Sequence, residues 1–230
     1  MYAYREAVTG EVAVKEKTSA TSATRIVVST FGALVAFAGI QHGVGEILQG
    51  PVAPAGLAFE AWPDVKAFEI FDGEPAMTLI PNLLVTGVLA VVVALALGIW
   101  SVFFVERRHG GLVLIGLSVI LLLVGGGFVP PLMGIILGIA ATRIGAISRR
   151  PPGGVARVAA RVWPWALGAG VAGNLGLFPG LVVLGWLFGV SDLSLMLGLT
   201  AVSFAALLLA PVAARAGDRV TETDATEAGR

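Results

Sequence analysis

The chain contains no cysteine, which excludes disulfides, thiolate nucleophiles and thiolate-held metals together. Charged residues make up only 13% of its 230 residues, against roughly 25% in a soluble domain. Formal net charge is zero, so no charge excess argues for a nucleic-acid partner, and none is expected. Lysine is missing from every long apolar run, which rules out a retinal Schiff base. The same runs hold no aspartate, so the paired acids of a membrane aspartyl protease are missing. No H-E-x-x-H motif is present, and no glycine-rich phosphate loop opens onto a helix. Histidine occurs only as His42, near the outer end of its span, and His109, in an inner loop, so the two cannot share one haem. No cofactor is expected.

What the chain does have is apolar length. Hydrophobic residues reach 57% and come in long runs, and runs of about 18 or more read as bilayer spans. The expected fold is all-α, a polytopic membrane helical bundle with about six transmembrane helices and both termini cytoplasmic. The spans are placed at about 26–48, 77–105, 112–126, 131–147, 162–190 and 193–213. Residues 1–25 read as a flexible cytoplasmic tail, without the short apolar core of a cleavable signal. Residues 214–230 read as a second flexible tail.

The stretch Leu112 to Ile147 decides the count. As one helix it would exceed about 50 Å, against a hydrocarbon core of about 30 Å. Gly125-Gly126-Gly127-Phe128-Val129-Pro130-Pro131 interrupts it. Glycines loosen a helix and prolines cannot donate to its ladder, so two short spans joined by a tight outer turn are expected. Charge placement agrees. With six spans, Arg107, Arg108, Arg143, Arg149, Arg150, Arg157, Arg161, Arg215 and Arg219 all lie inside, and only Lys66 lies outside. A single span would put the Arg149 to Arg161 loop outside. Span five holds Pro164 and Pro179, so a kink or tilt is expected there. The basic inner loop is explained by topology, with anionic-lipid contact secondary.

The external loop 50–76 is acidic, with Glu60, Asp64, Glu69, Asp72 and Glu74. Trp62, Val65, Phe68 and Phe71 fit one face of a short interfacial helix, but an acidic solvated loop with a few anchoring aromatics is the preferred reading. Small residues mark helix contacts: Gly39 and Gly43, Gly134 and Gly138, then Gly168, Ala172, Gly176 and Gly180. Gly185 and Gly189 add a further pair. These faces read as packing seams first, and as sites of self-association or of a membrane partner second. The lipid bilayer is the partner the composition demands. The two halves show no internal repeat, so an inverted-repeat transporter is not supported.

Ionisable groups inside spans are expensive and mark function. His42 and Glu46 are four apart and share a helix face, and Gln49 continues it. Asn82 lies at a similar depth in span two, Glu74 sits at the end of the loop, and Asn174 lies nearer the middle of span five. The candidate site is thus an outward-facing polar pocket of His42, Glu46, Gln49, Asn82 and Glu74. Three uses compete. One is inert packing, with His42 and Glu46 paired. Another is proton-linked or small-solute transport, or a helper role in the membrane. The last is an intramembrane enzyme or metal site that borrows Glu60, Asp72 or Glu74, for which a lone H-x-x-x-E pair is a weak signal. The expected location is the plasma membrane.

Overall fold

The structure, a computed structural model, describes residues 22–61, 74–146, 152–189 and 193–228. The fold is all-α. Its elements are α1 (Ala23–Gln49), a small hairpin of β1 (Ala58–Glu60) and β2 (Pro75–Met77), and α2 (Leu83–Phe104). They continue with α3 (Gly110–Leu123), α4 (Val129–Ala141), α5 (Gly154–Phe188) and α6 (Leu193–Ala228). Among the described residues, α1, α2, α5 and α6 are long and apolar enough to cross a membrane. Helices α3 and α4 have 14 and 13 residues, about 20 Å each.

Helix α1 is the central element, in contact with α2, α4, α5 and α6. Its small residues let neighbours close in. Gly43 meets the carbonyl of Gly87 and the side chain of Val91, and Gly39 packs on Ala94 and Leu121. The expected seam therefore forms within the chain, between α1, α2 and α3. Gly134 rests on Ser118 and Gly138 on Ile115, closing α3 against α4. On α5 the expected stripe meets α6 at Gly176, which packs on Leu199, and other glycines make the remaining contacts. Gly170 and Gly173 meet Phe31, Ala206 and Ser203, while Gly168 faces open space. The i, i+4 spacing of Gly168, Ala172, Gly176 and Gly180 runs into a π-helical turn at Gly176–Gly180, where Pro179 cannot donate. The irregularity at Pro179 is thus a π-helical turn, and α5 runs on as α-helix through Pro164.

Several boundaries differ from the sequence reading. Helix α2 starts at Leu83 rather than near residue 77, because Asn82 accepts from the Val85 N–H as its N-cap and Met77 is in a strand. Helix α5 starts at Gly154, so Arg157 and Arg161 stand on its first turns rather than in a loop. The segment after residue 213 is helix through Ala228 rather than an irregular tail. The tail 1–21 and the interfacial-helix candidate 62–71 lie outside the described residues.

That C-terminal extension is anchored. Asp218 accepts from Ala23 N at 2.6 Å, from Thr24 N at 3.2 Å and from Thr24 Oγ1 at 2.5 Å. These are orphan donors of the first turn of α1, where a negative charge also complements the helix dipole. At the same end Arg25 Nε pairs with Glu106 Oε2 at 3.1 Å, and the Arg215 guanidinium donates to the Ala146 carbonyl. The start of α1, both short polar connections and the end of α6 therefore share one end of the bundle. Asp218→Ala should cost about 1 kcal/mol, the usual worth of such a cap. That corresponds to a melting point about 2–4 °C lower in detergent. An unchanged melting point would show that α6 does not hold α1 there.

Candidate functional site

The site builds from one face of α1 near its far end. His42 and Glu46 are both fully buried there. What covers them is the connection between α3 and α4. That connection leaves the helix at Val124, passes Gly125 (φ +89°) and Gly127 (φ +75°), and re-enters helix at Val129, with prolines in the first turn. Pro130 and Pro131 thus start a helix, a place where the missing N–H costs little. The expected break is present. It is not an exposed surface turn, however, because Gly125, Gly126 and Gly127 are all buried.

The turn lies against the two ionisable side chains. A β-carbon on Gly125 would collide with both carboxyl oxygens of Glu46 and with the methyl of Thr86. One on Gly127 would collide with Nε2 and Cε1 of His42. Neither carboxyl oxygen of Glu46 has a hydrogen-bond partner among the described residues. Beside them Thr78 and Thr86 share a buried hydroxyl–hydroxyl bond of 3.0 Å.

The β-hairpin sits above the turn and closes this end. Leu79 N donates to Leu123 O at 3.0 Å and Gly125 N to Met77 O at 2.9 Å, so the strand pairs with the turn itself. Helices α3 and α4 are short of a bilayer's thickness, and β2 with the segment after it caps their turn. Phe59, Ala61 and Ala76 of the hairpin pack with Ala38, Leu83 and Leu177 of the helices. The hairpin also fixes Glu74, whose carbonyl accepts from Ala61 N at 2.8 Å. The Glu74 carboxylate then reaches His42, with Oε1 3.4 Å from Nε2.

Glu74 has a second neighbour. A cavity of about 270 Å³ lies between α1, α4, α5 and α6, and Glu74 is on its wall. Most of that wall is apolar: Leu34, Val35, Met133, Phe178, Met196 and Phe204 contribute. Asn174, Thr200 and Ser203 are its other polar residues. Asn174 donates its amide to Gly170 O at 2.9 Å, and Thr200 its hydroxyl to Met196 O at 2.8 Å. The Ser203 hydroxyl is buried and has no hydrogen-bond partner among the described residues.

Of the five residues expected from sequence, the structure brings His42, Glu46 and Glu74 together and leaves two out. Gln49 donates back to Gly45 O at 3.3 Å in its own helix, and Asn82 is spent on capping α2. The close contact is His42 with Glu74 across elements, in place of the pairing along α1. Thr78, Thr86 and Ser203 were missed. Their signal was hydroxyls at buried helix and strand positions, which apolar runs obscure. Among the described residues no three His, Asp or Glu side chains are placed to share a metal ion. No family model, curated protein or solved structure matches the chain.

Proposed function

We propose that this protein crosses the plasma membrane six times with both termini in the cytoplasm, and that it carries a small solute in exchange with protons. The observation that supports this best is the double placement of Glu74. One carboxylate pairs with buried His42 and also lines a solute-sized cavity. A solute that engages Glu74 changes the surroundings of His42, so occupancy and protonation are linked. Glu46, one helical turn further along α1, is the next titratable group gathered at this end, and it offers a proton a second acceptor.

The topology follows from arginine placement, since the end that gathers Arg25, Arg107, Arg108, Arg215 and Arg219 should face the cytoplasm. A re-entrant α3–α4 hairpin would leave this unchanged, because the hairpin returns to the side it left. Leu57→Cys should react with an impermeant thiol reagent added to intact cells. Arg108→Cys and Asp224→Cys should react only after permeabilisation. Outside labelling at residue 108 would invert the proposed orientation.

A direct test uses proteoliposomes with a pH-sensitive dye inside. Small amphipathic solutes are added one at a time at equal pH on both sides. At least one should drive protein-dependent proton movement, and His42→Ala should remove it. If well-folded protein responds to none, the transport reading fails. A second reading, a structural subunit, is favoured by one observation: Glu46 packs directly on the glycine turn and does not line the cavity.

A further inference from the structure

We infer that the cavity takes a small amphipathic monocation, its charge at Glu74 and its apolar body between α1, α4, α5 and α6. The inference rests on the reading of this cavity as the solute site and adds the chemical class of the solute. Three features carry it. The first is the sign of the wall. Glu74 is the one ionisable residue lining the cavity among the described residues; no lysine, arginine or histidine does so. Its side chain is 16% exposed, so an ionic contact made there is less screened than one at an open surface.

The second feature is the character of the remaining wall. Phe178 and Phe204 present aromatic rings, and Met133 and Met196 present polarisable thioethers. Aromatic faces attract cations and repel anions, and the gain grows when water is excluded. Methionine adapts its shape to irregular apolar bodies. A neutral hydrocarbon would satisfy these side chains but make no use of the Glu74 carboxylate.

The third feature is size. At an interior packing density of about 0.74, a cavity of about 270 Å³ accepts about 200 Å³ of matter, roughly a dozen non-hydrogen atoms. The class is therefore a compact amine or quaternary ammonium with an apolar body.

The probe is benzyltrimethylammonium, which has this size and a charge that no pH change removes. Its neutral counterpart is neopentylbenzene, with carbon in place of the charged nitrogen. Binding is followed by ligand-observed NMR on the full chain in nanodiscs, with empty nanodiscs subtracted. Three variants accompany the wild type: Glu74→Gln, Glu74→Asp and the cavity-filling Ala38→Phe. The expected result is saturable binding that Ala38→Phe abolishes. Glu74→Gln should weaken it at least tenfold, Glu74→Asp should retain most of it, and excess neopentylbenzene should not displace it. If Ala38→Phe abolishes binding while Glu74→Gln leaves it unchanged, the cavity is a solute site without charge selection. The cation inference is then overturned, while the cavity still holds a solute and the proteoliposome assay alone decides the transport reading. Displacement by neopentylbenzene at equal concentration has the same meaning. If nothing saturable binds, or binding survives Ala38→Phe, both readings fall.

Discussion

Gly125→Ala and Gly127→Ala should each leave little folded protein, while Gly168→Ala should match or exceed the wild-type yield and melting point. Gly125 and Gly127 hold φ of +89° and +75°, in the left-handed region where a β-carbon costs about 1–2 kcal/mol. The added atom also has nowhere to go. At Gly125 it meets the Glu46 carboxyl, and at Gly127 the His42 ring. Overpacking of a filled interior adds about 1–3 kcal/mol. Neither neighbour can retreat, since both are fully buried on α1 and α1 is held by four other helices. Gly168 makes the comparison fair. It stands in an apolar stretch of α5, and a β-carbon there meets nothing within 4 Å. Size-exclusion monodispersity and melting in one detergent would read all three. Wild-type behaviour of Gly127→Ala would mean that the turn does not clasp His42.

Glu46→Gln should abolish solute-driven proton movement in the proteoliposome assay, with yield and melting point near those of wild type. The substitution keeps the shape of the side chain and replaces one oxygen with an amide nitrogen. The turn that packs on Glu46 through Gly125 therefore still fits. What is lost is the capacity to take and release a proton. Glu46→Leu is the informative partner. It removes two buried oxygens that have no partner among the described residues, so it should raise the melting point while also abolishing coupling. Full coupling in Glu46→Gln would remove Glu46 from the proton path and favour the structural reading of this end. Lower stability in Glu46→Leu would indicate that the carboxyl is held by a favourable contact.

Much of this architecture was legible in the sequence because bilayer thickness is a strong ruler. Apolar runs longer than about 18 residues have few alternatives, and the Gly125 to Pro131 interruption read as a hairpin turn or a re-entrant segment once the length of Leu112–Ile147 was set against it. The misplaced boundaries share a different cause. A run of apolar letters does not say where helix begins inside it. Met77 and Leu83 look alike to a hydropathy window, yet Pro81-Asn82 between them carries the cap that starts α2. The polar end of α6 read as a tail because its support lies 195 residues away, in the first turn of α1.

The candidate site was legible in part for the same reason. His42 and Glu46 stood out because ionisable groups are rare in spans, and their shared face is a property of one helix. Glu74 was chosen on charge alone, and its route to His42 depends on a hairpin of two three-residue strands that carries almost no sequence signal. Gln49 and Asn82 were equally polar but were consumed by their own helices. The cavity lay beyond reach, because it exists only where four helices fail to fill the space between them.

The clasp of Asp218 on the start of α1 also sets an order of events in biosynthesis. Helix α1 leaves the ribosome first, and its opening turn must wait for partners that are made 195 residues later. Meanwhile α1 has to sit in the bilayer with the faces meant for α5 and α6 turned toward lipid, or shielded by an insertion factor. Its two buried ionisable side chains are in the same position until the α3–α4 turn arrives. The bundle is therefore closed from the end of the chain, and a nascent protein stalled before α6 would hold an inserted but unlatched α1. Quality control that senses unpaired polar groups within the membrane would find its target on that helix.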